Sequence, residues 1–134
     1  MTSRLYRYTL AVLVCYWLTM FTLTHLPPGA IRPVHVSDKI QHFAGYIILA
    51  VLLDITLFAK LHSSRAWITL IIVLLYGAFD EMLQPLTHRT ADLADWFADG
   101  AGAAAGICIT GIGRSIMERF APRRASQQSL SEKR

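Results

Sequence analysis

The chain has 134 residues, of which 54% fall in the hydrophobic class and only 16% are charged, with a net charge of +4. This is the length of one domain, with too few charges for an ordinary soluble one. Nucleic-acid binding is excluded as a reading of the positive charge, because the basic residues gather at the ends of apolar blocks. No glycine-rich phosphate loop, Walker motif or nucleophile elbow occurs.

Four apolar blocks are visible: 8–26, 40–59, 66–86 and about 95–112. Each approaches the ~20 residues with which a helix crosses a hydrocarbon core of ~30 Å. Ala11–Val14, Val51–Leu53 and Ile68–Tyr76 lack the polar face that a soluble bundle would show at a period of 3.6. The expected fold class is therefore all-α, a polytopic membrane protein with four transmembrane helices and a short basic C-terminal tail. Residues 1–120 form the membrane domain and residues 121–134 the tail.

Arg4 and Arg7 precede the first block, which is longer than a signal-peptide core and lacks an A-x-A site, so it is expected to stay as an uncleaved helix. Residues 26–37 contain Pro27, Pro28, Gly29 and Pro33 and are expected to form a loop. Ser37 or Asp38 then caps the second helix. In that helix Asp38, His42 and Tyr46 share a face by i, i+4 spacing. A polar turn holding Lys60, His62 and Arg65 leads to the third helix, apolar up to Gly77 and then carrying Asp80, Glu81 and Gln84 before Pro85. His88, Arg89 and Asp92 lie in the next loop. The fourth helix starts near Asp92–Asp95, and Gly102 and Gly106 form a GxxxG step that lets another helix approach closely. That step also offers a surface to a second copy of the chain or to another membrane protein. Arg114–Phe120 is interleaved basic and apolar, as in a segment along the membrane surface, and residues 125–134 are expected to be disordered. Cys15 and Cys108 have no metal-type spacing partner and are expected as small buried hydrophobes.

With four crossings both ends share one side. Arg4, Arg7, Lys60, Arg65 and six tail residues lie there, against Arg32, Lys39 and Arg89 on the other. Ten against three places both termini in the cytoplasm by the positive-inside rule. Asp38, Asp80, Glu81, Asp92, Asp95 and Asp99 then belong to the outer half. Asp80 lies about 21 Å up the third helix, and His42 and Asp99 one turn inside their own helices. Ionisable groups in such segments are expensive and mark function. Asp54, near the inner end of the second helix, is expected to pair with a cytoplasmic Lys or Arg.

The outer cluster has more acids than Lys39 and Arg89 can neutralise, so some must hold protons or a cation. The substrate-binding set is Asp38, Lys39, His42, Asp80, Glu81, Gln84, Arg89, Asp95 and Asp99. Three chemistries are open to it. Lys39 and Arg89 could meet the phosphate of a lipid headgroup or lipid-linked envelope glycan. His42 beside Asp80 or Glu81 could act as acid and base on such a substrate. Asp80, Glu81, Asp95 and Asp99 could hold a divalent cation as hard oxygen ligands. A zinc site on His42 and His88 lacks HExxH-type spacing. A proton path is disfavoured because the middles of helices one, three and four hold almost no ionisable groups. The expected activity is recognition, less readily modification, of an envelope lipid. The alternative is a non-catalytic scaffold in which Asp38, Lys39 and His42 fasten the second helix to Asp80, Glu81 and Gln84 of the third, and Arg89 ties the loop to Asp92 and Asp95.

DKIQHFAGY (residues 38–46), GAFDEMLQ (residues 77–84), and Arg89 followed by Asp95, Gly102 and Gly106 resemble the VanZ-like family of small integral membrane proteins, over roughly residues 5–113. The resemblance implies a bacterial cell-envelope protein, in a family named for a link to teicoplanin-type glycopeptide resistance. Asp99 stands where that family usually has Asn. Asp99 shares a face with Asp95 by i, i+4 spacing and is expected to point into the bundle, deeper than Asp95, protonated or paired with a cation, its negative charge not itself used, so that Asp99→Asn is nearly silent.

Overall fold

The computed structural model of the protein describes residues 2–26, 37–58 and 64–120. The proline-rich stretch 27–36, the turn with Lys60 and His62, and the tail 121–134 lie outside the described residues. Four helices account for nearly all of the rest: α1 (Ser3–Thr24), α2 (Asp38–Phe58), α3 (Arg65–Leu83) and α4 (Leu93–Phe120), with a 3-10 turn at Gln84–Thr87 between the last two. All four are long and apolar enough to span a bilayer. The chain is an all-α polytopic membrane protein.

The local signals act as the residues dictate. Thr2 caps α1, its hydroxyl accepting from the Leu5 amide, so α1 begins five residues before the expected block. Ser37 caps α2 through the Ile40 amide. The Asp92 carboxylate accepts from the Ala94 amide at 2.8 Å and opens α4. Pro85 does not stop the chain from turning, because at the start of a 3-10 turn it has no hydrogen bond to lose. His88 follows in the left-handed region at φ 62°. This reversal returns the chain over the end of the bundle and brings Arg89 to α2. Residues 114–120 continue α4 without a break, whereas a separate surface segment was expected. At 1.5 Å per residue α4 runs about 42 Å, beyond a ~30 Å core, and its basic last turns can leave the hydrocarbon without bending.

The packing is that of a membrane protein. Among the described residues eight apolar side chains are buried and ten polar ones, while Trp67, Leu75, Met82, Phe97 and many other large apolar groups face outward. Lipid is as apolar as leucine, so burial of apolar surface does not drive the helices together; close packing and polar contacts do. Cys15 and Cys108 follow this rule against expectation. Both are exposed on the outer, lipid-facing surface, where a thiol needs no burial.

Helix α2 is central and packs on the other three. Its Tyr46, Leu49, Ala50 and Leu53 form half of the buried apolar cluster. Against α4 the approach is closest. A β-carbon on Gly102 would overlap the Phe43 carbonyl oxygen, and one on Gly106 would lie 2.6 Å from the Ile47 carbonyl oxygen. The GxxxG step is thus engaged within the chain, against α2.

Candidate functional site

The helices alternate in direction, so the C-terminal ends of α1 and α3 and the N-terminal ends of α2 and α4 lie at one end of the bundle. Every residue of the expected outer cluster is there. Their pairing differs from the expected fastening. Helix α2 is tied to α4: Lys39 Nζ donates to Asp92 at 2.8 Å and to Asp95 at 3.3 Å, and His42 Nδ1 lies 2.9 Å from Asp99 Oδ1. Arg89 pairs with Asp38 at 2.8 Å, in place of Asp92 or Asp95. The physical reason is the glycine step. It draws α4 so close to α2 that residues one turn into each helix face one another.

Asp80 is fully buried and makes no hydrogen bond or ion pair with His42 among the described residues. Its carboxylate accepts from Thr24 Oγ1 at 2.9 Å and from the Tyr76 hydroxyl at 3.4 Å, with His25 Nδ1 3.6 Å away. Asp80 therefore belongs with α1. Thr24 and His25 are site residues that the sequence reading missed. The signal was present, since the end of α1 lies at the same level as the starts of α2 and α4. Glu81 accepts from Gln84 Nε2 and from the Asp92 amide, both at 2.8 Å, joining α3 to the loop that follows it. His88 is exposed.

Asp99 is fully buried, with Asp95 4% exposed one turn before it on α4. Gly77 makes room for it: a β-carbon there would sit 2.8 Å from Asp99 Oδ2. The Trp96 indole donates to the Leu74 carbonyl oxygen at 3.0 Å and fixes the start of α4 on α3. Below His42 an aromatic column continues through Tyr46 and Tyr76 to Trp17, with ring centroids 6.2, 6.0 and 5.1 Å apart. The acid that orients His42 is Asp99, where Asp80 or Glu81 was expected. At the surface, Asp92 is held below the ordinary carboxylate range by its hydrogen bond with Lys39, aided by the Ala94 amide.

A cavity of about 350 Å³ opens between α1 and α2 beside this cluster. Tyr16, Met20 and Leu23 form its α1 wall, His42 and Tyr46 its α2 wall, and Asp38 and Arg89 its rim. Tyr16 bridges the two helices at the far side, donating to the Gly45 carbonyl oxygen at 2.8 Å. A second cavity, of about 400 Å³, lies on the opposite side, between α3 and α4, and reaches Glu81 and Trp96.

At the other end of the bundle Asp54 is fully buried, as an acid paired with basic residues. Arg114 Nη1 lies 2.9 Å and Arg65 Nε 3.5 Å from its carboxylate, and Thr110 donates at 2.8 Å. Both guanidinium groups also stack over Phe58. The expected basic partner is thus two partners, from α3 and α4.

Fold and site together define a polytopic membrane protein with a polar cluster sunk into one end of a four-helix bundle. The VanZ/LLP1 family model matches residues 8–114. The chain belongs to the VanZ/LLP1 family. No curated protein and no solved structure matches it.

Proposed function

We propose that the protein recognises the headgroup of an envelope lipid, or of a lipid-linked envelope glycan, in the cavity between α1 and α2. One observation carries this reading: the cavity joins a charged rim, Asp38 and Arg89, to an apolar wall, Met20 and Leu23. An amphipathic molecule entering from the bilayer meets surfaces of both kinds. Its volume falls in the range of small-molecule sites. Arg89 suits a phosphate, which a guanidinium binds with two parallel hydrogen bonds. Modification of the bound headgroup would fall to His42, which lines the cavity and whose Nδ1 side is held by Asp99, an arrangement suited to general acid–base work. By family membership the proposal extends to teicoplanin-type resistance, as a change in susceptibility on expression that Arg89→Ala removes.

Native mass spectrometry of the detergent-purified chain tests the headgroup reading. Wild type is expected to carry phospholipid or a lipid-linked glycan, and Arg89→Ala to carry at least tenfold less. The melting temperature should barely move, because a surface ion pair contributes about 0–1 kcal/mol. The scaffold reading draws on a specific observation too: His42–Asp99, Thr24–Asp80 and Glu81 to the Asp92 amide each bridge two segments. It stands if wild type and Arg89→Ala carry the same lipid, or none.

The proposal puts the cluster at the outer surface and both termini in the cytoplasm. Single cysteines at Ala30, Ser63 and Thr90, after removal of Cys15 and Cys108, check this. Impermeant thiol reagent should label positions 30 and 90 in intact cells and spare 63. Labelling at 63 alone would invert the topology and place the headgroup site on the inner leaflet.

A further inference from the structure

We propose that His42, Glu81 and Asp99 form a site for one divalent cation of the zinc or manganese class, held by one imidazole and two carboxylates from three different helices. It does not depend on the headgroup reading.

The geometry is the first argument. One ligand atom from each residue lies within 4.8 Å of the other two, and all three residues are buried. Zinc bonds of about 2.0–2.2 Å set tetrahedral edges near 3.3 Å. The His42–Asp99 separation of 2.9 Å must open by a few tenths of an ångström, and Glu81 must settle at the same edge length from within the 4.8 Å bound. Side-chain torsions supply such shifts. The ligands come from α2, α3 and α4, so no single-helix motif such as HExxH could announce the site.

Charge is the second. Asp95 has Lys39, Asp38 has Arg89, and Asp54 has Arg65 and Arg114. Among the described residues Asp80, Glu81 and Asp99 make no ion pair with a lysine or arginine. Three buried carboxylates face two histidines, His25 and His42. Full protonation of both rings still leaves one negative charge, at a depth where an uncompensated charge is expensive. A dication balances the Glu81 and Asp99 carboxylates while His42 stays neutral.

Asp99 Oδ2 and the Tyr46 hydroxyl are buried with no hydrogen-bond partner. Asp99 is fully buried and Tyr46 only 1% exposed, with its ring stacked under that of His42. Buried polar atoms of native proteins nearly always have partners. An unpartnered carboxylate oxygen on one of the three ligand residues is what a cation would take up. Three protein ligands also leave a position open, as catalytic zinc sites do. Access exists from both sides, since the α1–α2 cavity reaches His42 and the α3–α4 cavity reaches Glu81.

A mixed imidazole and carboxylate set favours zinc or manganese over magnesium and calcium. Binding needs neutral imidazole and ionised carboxylates, so metal uptake releases a proton. Asp99 matters most. An asparagine there preserves shape and supplies only a neutral oxygen, so tight binding is a property of chains with an acid at this position.

The test uses the full chain in detergent, stripped with chelator and titrated separately with zinc, manganese and magnesium. Elemental analysis is expected to find one zinc or manganese per chain, with a melting temperature raised by at least about 5 °C at saturation. Magnesium should give neither. The near-isosteric Asp99→Asn and Glu81→Gln should weaken uptake at least tenfold, while Glu118→Gln, at the far end, should match wild type. Wild type that takes up no stoichiometric metal would show that protons balance the acids and would overturn the inference. Uptake unchanged in Asp99→Asn and Glu81→Gln would overturn it equally. If either variant failed to fold, cobalt would decide on wild type alone: absorption bands of a nitrogen- and oxygen-ligated ion support the site, and their absence refutes it. Lipid capture measured on the stripped protein separates this outcome from that of the headgroup reading.

Discussion

Gly102→Leu is expected to remove the folded protein from the membrane, and Gly102→Ala to destabilise it by at least ~3 kcal/mol, the upper end for overpacking. A single β-carbon at this position meets the Phe43 carbonyl oxygen, and the next nearest atoms are the Ile47 amide nitrogen and the Phe43 carbonyl carbon, both at 3.2 Å. All are backbone atoms of a central helix, so no rotamer change relieves the contact. Helices α2 and α4 must separate, and with them the Lys39–Asp95 and His42–Asp99 pairs, which bridge the same two helices. Gly111→Ala is the control. Its β-carbon meets nothing within 4 Å among the described residues. Alanine there should be neutral or stabilising by roughly 0.5–1 kcal/mol, the helix-propensity difference. Thermal melts in detergent and membrane abundance of the three variants check the ordering. A Gly102→Ala protein as stable as wild type would mean that α2 and α4 do not meet at this step.

Asp54→Ala is expected to destabilise by about 3–5 kcal/mol, as does removal of one partner from a buried ion pair. Asp54 is fully buried, and Arg65 and Arg114 are 16% and 19% exposed at the side chain, so neither guanidinium has full access to water when the carboxylate is gone. Thr110 loses its acceptor as well, though it keeps a bond to the Ile107 carbonyl oxygen. Asp54→Asn keeps an oxygen for Thr110 and should fall between alanine and wild type. Asp54→Leu combined with Arg114→Met should recover part of the loss, because removing both partners leaves one fewer unpaired charge. A double-mutant cycle on melting temperature reads this coupling. Additive effects would show that Arg114 is held chiefly by its stacking over Phe58.

The expected large effects lie at opposite ends of the bundle and act differently. At Gly102 the obstacle is steric and local to one helix pair. At Asp54 three helices meet on one charge, so the loss spreads to α2, α3 and α4 together. Neither position faces the α1–α2 cavity. Lipid capture by a mildly destabilised Asp54→Asn protein should therefore resemble that of wild type.

What the sequence alone determined is what depends on single segments. Hydrophobic block length set the number of helices, because the hydrocarbon thickness imposes ~20 residues whatever the neighbours are. Ser37 and Asp92 marked helix starts through their own side chains. Depth along each helix followed from a fixed rise of 1.5 Å per residue, which gathered Asp38, His42, Asp80, Glu81, Asp95 and Asp99 at one end. Which of them touch was decided by the tertiary structure. Residues at one level on four helices can pair in many ways, and the choice rests on interhelical distance. Gly102 and Gly106 bring α4 onto α2, so His42 meets Asp99 and Lys39 meets Asp95, while Asp80 turns to Thr24 and His25 of α1. Cys15 and Cys108 make the same point from outside. Their apolar surroundings were legible, but whether those surroundings are protein or lipid depends on which face of a wholly apolar helix turns inward, and an all-round apolar pattern carries no record of that face.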